Sequence, residues 1–446
     1  MQHEVLVGIV STPGIVFLGL ALIWLLGWTP AEKSVARITA TVYTLMVAAS
    51  LWLGWSMYST DSPVVRAAFG NWFQVGEYEF PLDLVADHLS LPLILLTTVL
   101  IGIVGSFSVR YLHRERGFFR FFLLMNLFAF GALLAFTAGT FDLLLGGWEL
   151  VGLTSVLLIA YFDERREPVR NAIRVFATYR IADLGLLLAI FVMHKTTHSA
   201  EVHKIFTGDW PNQQTVGNAG TATLVGLLLL CAAAGKSAQI PFSGWLPRAM
   251  EGPTPSSAIF YGAISVHLGA YLLLRSEPLL EASTWAAAAV IAIGAGTALL
   301  GTLAHRVSSD AKTSLAYAAM AQVGVIFVEI GLGFPKLALA HLCGHAAVRT
   351  LQFLRAPSML HDFHRVHAAA GGHLDKTGTH YEGIVPEPLR NWLYRVGLER
   401  GFYDAVLDRA VAGPVLRMSK WLASLEPRET PALPRSSRTS QAEVEG

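Results

Sequence analysis

The sequence predicts an all-α polytopic membrane protein: a bundle of about eleven transmembrane helices followed by a C-terminal tail. Three observations predict it. Hydrophobic residues fill 53% of the 446 positions, and Asp, Glu, Lys and Arg together only 15%, where soluble domains carry about 25% charged residues. Apolar runs recur along most of the chain at the length of about 20 residues needed to cross a hydrocarbon core of roughly 30 Å. Prolines and glycines crowd the end of one such run, as a broken membrane helix requires. A net charge of +1, without a basic run interleaved with aromatics, sets nucleic-acid binding aside.

Hydropathy places the spans at 5–28, 38–57, 89–109, 119–138, 141–161, 172–194, 222–240, 256–274, 284–304, 314–333 and 337–359. The first begins almost at the N-terminus, without a basic stretch or a small-residue cleavage site, and reads as a span, not a removable signal. Residues 58–88 alternate weakly and include Pro63, Gly70, Gly76 and Pro81, which suggests an extracytoplasmic hairpin or short loop. Beyond about 361 the character changes. Residues 361–385 are rich in His and Gly, 386–425 read as amphipathic surface or interfacial helices, and 426–446 as a disordered tail. The organisation is thus a two-helix segment with its loop over 1–84, a central bundle over 85–361 and a tail over 362–446. Cys231 and Cys343 lie in apolar segments and read as packing residues.

Basic residues set the orientation. Connections after odd-numbered spans hold Lys33, Arg37, Arg110, Arg114, Arg116, Arg120, Arg165, Arg166, Arg170, Arg174, Arg248, Arg306 and Lys312. Those after even-numbered spans hold Arg66, Lys195, Lys204, Arg275 and Lys336. The bias places the odd connections and the tail in the cytoplasm and the N-terminus outside. A cell (inner) membrane is the expected location.

Ionisable side chains at bilayer depth cost several kcal/mol by most estimates, so they face a partner or a wetted cavity. Glu149 sits in GGWELVGL, Arg180 and Asp183 in TYRIADLG, Lys236 in AAAGKSAQIP, and Lys312 near the start of the tenth span. His267 and Glu329 join them. His341, His345 and Arg349 recur every four residues and share one helix face. Such a stripe can line a polar path; interhelical hydrogen bonds that merely hold the bundle are the alternative. After Lys236 come Pro241, Gly244, Pro247, Gly252, Pro253 and Pro255. They break the helix and release carbonyls that protein or water must satisfy, a feature of ion-transport sites, with a packing kink as the alternative. Should Glu149 approach Lys236, its distance would govern whether the ammonium keeps its proton.

The segments GGWELVGLTSVLLIAYF, NAIRVFATYRIADLG, GKSAQIPFSGWLPRAMEGPTPSSA, SSDAKTSLAYAAMAQVG and HLCGHAAVRTLQFL resemble, in order, signatures of the antiporter-like subunits of respiratory complex I. The distal, subunit-5 type, related to Mrp sodium/proton antiporter subunits, is the best match, over roughly residues 85–361. LYRVGLERGFYDAVLDRAVAGPVLR resembles material near that family's C-terminus. The resemblance implies an antiporter-like bundle with inverted repeats and broken helices. It makes Glu149 the fifth-helix glutamate, Lys236 the lysine of the broken seventh helix, Lys312 the lysine of a D-x-K motif, and His341 and His345 paired histidines of a hydrophilic proton axis. His267 and Glu329 extend that path. Arg174, Arg180, Asp183 and Arg349 tune its charge.

Departures accompany the matches. The family usually has Lys at Arg349 and Arg174, and His at Tyr261, for which His267 six residues later offers a replacement. Arginine keeps its proton, so Arg349 can only be a fixed charge. Sequence like the family's later helices, with their G-F-x-S-K-D signature, is not found after His361. A shortened subunit of this kind resembles the membrane subunit (DabB) of the DAB inorganic-carbon uptake system. That family implies a cytoplasmic, DabA-like, carbonic-anhydrase-like partner that holds zinc. A complex I subunit, a cation/proton antiporter subunit and a passive anchor for a cytoplasmic enzyme stay open. His361, His364, His367, His373 and His380, with Asp362 and Asp375, could bind zinc, but no closed ligand spacing is present and a partner-facing segment is the preferred reading. No phosphate loop, dinucleotide fingerprint or iron–sulfur cysteine set is found, so catalysis and cofactors are expected in another chain.

Overall fold

The apolar runs become long helices in the order expected. In the computed structural model, which describes residues 1–358 apart from 29, 77, 198–200, 208–213 and 216–218, the segment 384–402, and single residues at 368, 409, 414, 417, 418, 420, 421 and 424, they are α1 (Gln2–Leu25), α2 (Glu32–Ser59), α3 (Ser90–Tyr111), α4 (Phe118–Thr137), α5 (Phe141–Ile159) and α6 (Arg166–Thr197). Then come α7 (Ala219–Lys236), α8 (Thr254–Arg275), α9 (Thr284–Val307), α10 (Ala311–Gly331), α11 (Pro335–Arg355) and α12 (Glu387–Leu398). Hydroxyls and carboxylates mark several starts: Thr140, Ser283 and Asp310 accept from the backbone N–H of Leu143, Ala286 and Thr313.

Helices α1–α10 are long and apolar enough to cross a membrane. The eleventh, α11, has the length but carries Lys336, His341, His345, Arg349 and Arg355. It packs against α10, α8 and α3, which takes its polar stripe away from lipid. Hydrophobic positions exposed to lipid, such as Leu18, Leu22, Leu45, Leu187 and Phe191, lie on the outer helices, whereas α8 is wholly buried among the others. This is a multi-pass membrane protein.

Between α2 and α3 the weak alternation does form a hairpin. Strands β1 (Val65–Val75) and β2 (Tyr78–Ala86) pair antiparallel from Val65↔Ala86 to Val75↔Tyr78, with the turn at Gly76, whose φ of +59° suits glycine. Leu84 bridges to Ala138 at the end of α4, and Thr140 to Glu201 after α6, so this hairpin end is knitted to the bundle. The opposite end carries the arginine-rich connections.

Neighbouring helices approach closely where glycines face each other. A Cβ on Gly147 of α5 would strike the backbone of Ala135 and Gly131 on α4, and one on Gly324 of α10 would meet the Gly294 carbonyl of α9 at 2.6 Å. Interhelical contact by small residues is the usual means of packing where the apolar solvent gives no hydrophobic drive.

The two central helices are irregular. Helix α7 stops at Lys236, and the chain to Gly244 is not helical. Its freed groups find protein partners: Ile240 N–H donates to Thr297 Oγ1 at 3.0 Å, and Trp245 Nε1 donates to the Gly235 carbonyl at 2.9 Å. Helix α8 contains a π-helical stretch at Ala258–Ala263 and a 3₁₀ turn at Ser265–His267. The carbonyls of Ala263 and Val266 are thereby exposed to side chains.

Residues Met1–Gly401 form one unit and Phe402–Gly446 a second. The first two helices belong to the larger unit, α1 against α4 and α2 against α3, and α12 packs on α9. The His-rich cluster of His361, His364, His367, His373 and His380, with Asp362 and Asp375, lies outside the described residues.

Candidate functional site: a buried row of ionisable side chains

The broken end of α7 places Lys236 in the centre of the protein, fully buried. Its Nζ donates to the Trp148 carbonyl at 2.9 Å and lies over the Trp148 and Tyr179 rings, 4.7 and 4.6 Å from their centroids. Two aromatic faces and a carbonyl favour the charged ammonium. Gly152 makes room, for a Cβ there would stand 2.9 Å from Nζ.

Glu149, the next residue after Trp148, pairs with Arg180 rather than with Lys236. No ion pair joins Glu149 to Lys236 among the described residues. The same guanidinium reaches Asp183 Oδ2 at 2.8 Å, and Trp148 Nε1 donates to Asp183 Oδ1 at 2.6 Å. Glu149, Arg180, Asp183, Trp148 and Lys236 are thus one polar cluster built by α5, α6 and α7. Arg174 does not join it. Six residues from Arg180 is about 240° around a helix, and Arg174 is exposed on another face of α6.

A second cluster sits where α8 meets α11. His267, 1% exposed, contacts the Ala263 carbonyl through Nδ1 at 3.0 Å and His345 Nδ1 through Nε2 at 2.8 Å. Arg349 Nε donates to His345 Nε2 at 3.3 Å. One assignment of protons satisfies every contact. His345 accepts from Arg349 at Nε2 and donates from Nδ1; His267 accepts at Nε2 and donates from Nδ1 to the carbonyl. Both imidazoles are then neutral, and the chain has a single polarity.

His341 stands one turn before His345, its ring centroid 6.3 Å away. Its Nδ1 faces Glu329 Oε1 at 2.9 Å and its Nε2 faces Gln322 Oε1 at 3.2 Å, both on α10. His341 thus bridges the Glu329 carboxylate and the Gln322 amide. Nothing in the sequence marked Gln322; its position seven residues before Glu329, two turns along the same face, was the available signal.

Between the clusters, Ser237 Oγ donates to the Val266 carbonyl at 2.6 Å. The rings of Tyr179, Trp245 and Tyr261 follow one another at 5.0 and 5.8 Å. The buried hydroxyls of Tyr179 and Ser265 lie against each other, and that of Tyr261 has no protein hydrogen-bond partner. Tyr261, at the position expected of a histidine, therefore contributes a hydroxyl in the core while His267 supplies the imidazole beside His345.

Lys312 lies apart from both clusters. Its Nζ donates to the carbonyls of Met250 and Gly252, each at 2.8 Å, in the irregular segment before α8. The D-x-K pattern is thus split between two jobs: Asp310 caps α10 and Lys312 ties the broken segment to it.

At the hairpin end are groups the sequence reading missed. Arg275, the last residue of α8, pairs with Asp87 before α3, both nearly inaccessible. Tyr271 hydroxyl accepts from Arg275 and donates to the Phe136 carbonyl at 2.8 Å. His194 and Asp142 meet at 3.0 Å, and Arg66 pairs with Asp83 at 3.0 Å. Among the described residues, no group of three or more His, Cys, Asp and Glu side chains is placed to hold a metal ion.

Comparison with known proteins gives this arrangement a family. Residues 138–371 match the family model described as "NADH:quinone oxidoreductase/Mrp antiporter, TM", and residues 72–122 match "NADH-Ubiquinone oxidoreductase (complex I), chain 5 N-terminus". The NADH-ubiquinone oxidoreductase chain 5 of Schizophyllum commune is 35% identical over 295 residues, 66% of this chain and 42% of that protein. NADH-quinone oxidoreductase subunit L of Mycobacterium tuberculosis H37Rv is 34% identical over 296 residues, 66% of this chain and 46% of that one. The chain therefore spans about half the length, or less, of these curated relatives. A chain of the Mrp complex from Dietzia sp. DQ12-45-1b superposes with a TM-score of 0.65 at 27% identity, over 77% of this chain and 37% of that one. A chain of an archaeal membrane-bound sulfane sulfur reductase shares the fold, with a TM-score of 0.67 at 19% identity. With more than half of its length inside one family model and its helices in that family's arrangement, the chain belongs to the NADH:quinone oxidoreductase/Mrp antiporter transmembrane family.

Proposed function

We propose that this chain is a proton-conducting membrane subunit that couples the proton-motive force to a partner protein. The observation that carries the reading is the buried hydrogen-bonded series Arg349–His345–His267–Ala263 carbonyl. An imidazole can take a proton at one nitrogen and release one from the other. Arg349 and the Ala263 carbonyl hold the two rings in line without exchanging protons, which would be delivered to and removed from the pair by bridging water or by neighbouring titratable groups. Arg349 is a fixed charge that discourages a proton from resting on His345. His341 with Glu329 is a neighbouring station, and the Tyr179, Tyr261 and Ser265 hydroxyls are the groups through which bridging water would link the histidines to Lys236. At Lys236, Glu149 and Asp183 share Arg180. A shift of Glu149 from Arg180 toward Lys236 would strengthen the hold on the ammonium, and its return would release the proton.

In the orientation favoured by the basic residues, the arginine-rich end and α12 face the cytoplasm. Helix α12 exposes Leu389, Trp392 and Leu398 at that end. This face suits a cytoplasmic subunit, and an inorganic-carbon (CO2/bicarbonate) uptake complex with a zinc-containing, carbonic-anhydrase-like partner is the setting we favour. The Mrp likeness keeps cation/proton antiport as a second reading.

Reconstitution of the native complex into vesicles carrying an internal pH dye tests the conduction. Lys236→Ala and His345→Gln are expected to reduce proton flux at least tenfold with assembly intact; unchanged flux in both would leave a passive anchor. Flux that follows a sodium gradient instead of pH would favour antiport. Mass identification of the co-purifying subunit separates a carbonic-anhydrase-like protein from a set of redox subunits.

A further inference from the structure

A crevice of about 700 Å³ opens between α2 and α3 on the outer face of the bundle, away from both ionisable clusters. Arg37 of α2 and Arg110 of α3 stand at its mouth, at the arginine-rich end, both exposed. No acidic residue lines the crevice, and neither guanidinium has an ion-pair partner among the described residues. Below the mouth the walls are apolar or small, with Tyr43, Val47 and Gly102 among them. Gly102 and Gly105 bring the helices together here: a Cβ on Gly105 would stand 3.1 Å from Thr39 Cγ2, and one on Gly102 would stand 3.3 Å from Tyr43 Cβ.

The depth of the crevice also points to an occupant. The lining continues from Arg37 to Val47, ten residues or about 15 Å. That length is half of a hydrocarbon core of roughly 30 Å, the depth of one leaflet.

We propose that this crevice is a binding site for an anionic phospholipid of the leaflet at the arginine-rich end. The phosphate sits between Arg37 and Arg110, and one acyl chain fills the slot toward Val47. Charge complementarity selects the headgroup, since two unneutralised guanidinium groups favour phosphate with a net negative charge over a zwitterion. The slot selects a chain by contact, not by hydrophobic transfer, because lipid tails are as apolar as its walls.

The test is competitive retention by native mass spectrometry. The full protein is equilibrated in nanodiscs of equal phosphatidylglycerol and phosphatidylcholine, released, and its bound lipids counted. Retention of phosphatidylglycerol at least fivefold above phosphatidylcholine is expected, falling to near parity in Arg37→Gln/Arg110→Gln. Ile103→Trp, which crowds the slot without touching the charges, is expected to reduce retention of both lipids. Both variants alter exposed positions, and unchanged thermal unfolding checks that they fold. Equal retention of the two lipids by the unaltered protein, or selectivity that survives the double arginine change, overturns the proposal. So does photocrosslinking from position 103 to a protein helix of the native complex instead of to lipid.

Discussion

The buried pair of Asp87 and Arg275 gives the sharpest quantitative prediction. Their side chains are 6% and 4% exposed, and they join the start of α3 to the end of α8 across 188 residues. Asp87 also accepts from the backbone N–H of Leu89 at 3.0 Å and Ser90 at 2.9 Å. Removing one member of a buried pair leaves the other charge uncompensated, at roughly 3–5 kcal/mol, whereas replacing both with apolar residues of similar volume is often neutral or better. Asp87→Asn keeps a capping acceptor and isolates the charge; Asp87→Ala loses the cap as well, about 1 kcal/mol more. Asp87→Leu/Arg275→Met is expected to recover most of the single-mutant loss. Unfolding titrations of the protein in mixed micelles with increasing denaturing detergent, run as a double-mutant cycle, measure the coupling. A coupling below about 1 kcal/mol, or a double variant as weak as the sum of its singles, would refute the reasoning.

The acid range offers a second test of the same pair. Burial pushes the Asp87 carboxyl up, but the Arg275 guanidinium and the hydrogen bonds at Ser90 outweigh it and leave it at about 2. The folded-state value is thus below the unfolded one near 3.9, so the contribution is complete above that pH and fades as pH falls through 2. At 1.36 kcal/mol for each pH unit of difference, it amounts to about 2 kcal/mol lost between pH 5 and pH 2. In Asp87→Asn that part of the acid sensitivity is absent. The pair also steadies the last two turns of α8, which begin just after His267, so the same variants are expected to slow proton flux.

Glu277, just beyond α8, behaves in the opposite sense. Burial, with Glu281 nearby, pushes its carboxyl up to about 7, and its Oε2 has no partner. The protonated form is the one the fold favours, so Glu277→Gln is expected to raise the unfolding midpoint most at pH 8, less at pH 5 and not at all below about pH 4, where both states are protonated; a pH-independent effect would count against it. Gly147→Val drives a side chain into the α4 backbone and is expected to cost at least about 2 kcal/mol, read by the same detergent titration. Gly397→Val on α12 would collide with the Leu303 carbonyl, 2.8 Å from its Cβ, and is expected to release α12 from α9 and lower recovery of the proposed partner while proton flux persists. Nitrogen-15 chemical shifts of His267 and His345 at pH 7.5 are expected to report Nδ1–H tautomers for both; an Nε2–H tautomer at His345 would break the series as drawn.

The membrane spans and the break after Lys236 were legible because each is a local property of the chain. A run of about 20 apolar residues and a cluster of prolines mean the same thing wherever they occur. The stripe of His341, His345 and Arg349 was legible for the same reason, since a spacing of four fixes a face. Pairing was not legible. The sequence left open whether Glu149 approaches Lys236; in the fold Arg180, which the resemblance placed only as a charge tuner, takes its carboxylate, and Lys236 turns to a carbonyl that no sequence pattern advertises. The partners of His341 were half visible: Glu329 stood out as an acid at membrane depth, while Gln322, being neutral, did not. Arg275 was counted only as a charge outside the membrane, because a residue at a span's end gives no sign of whether it bends inward.

These pairings share a consequence for the proposed proton route. Every permanently charged guanidinium near the row is tied to an anchor: Arg180 to Glu149 and Asp183, Arg275 to Asp87, and Arg349 to His345 and Gln352. The groups that can change protonation sit between these anchors, as Lys236, His267, His345 and the His341–Glu329 pair. The arginines therefore set a potential that does not move, and the histidines and the lysine respond to it. In that route Arg349 carries no proton but gives His345 a donor of fixed sign. That donor is what makes the two neutral imidazoles point the same way, and a series with one direction is the least that directional proton transfer demands of a static structure.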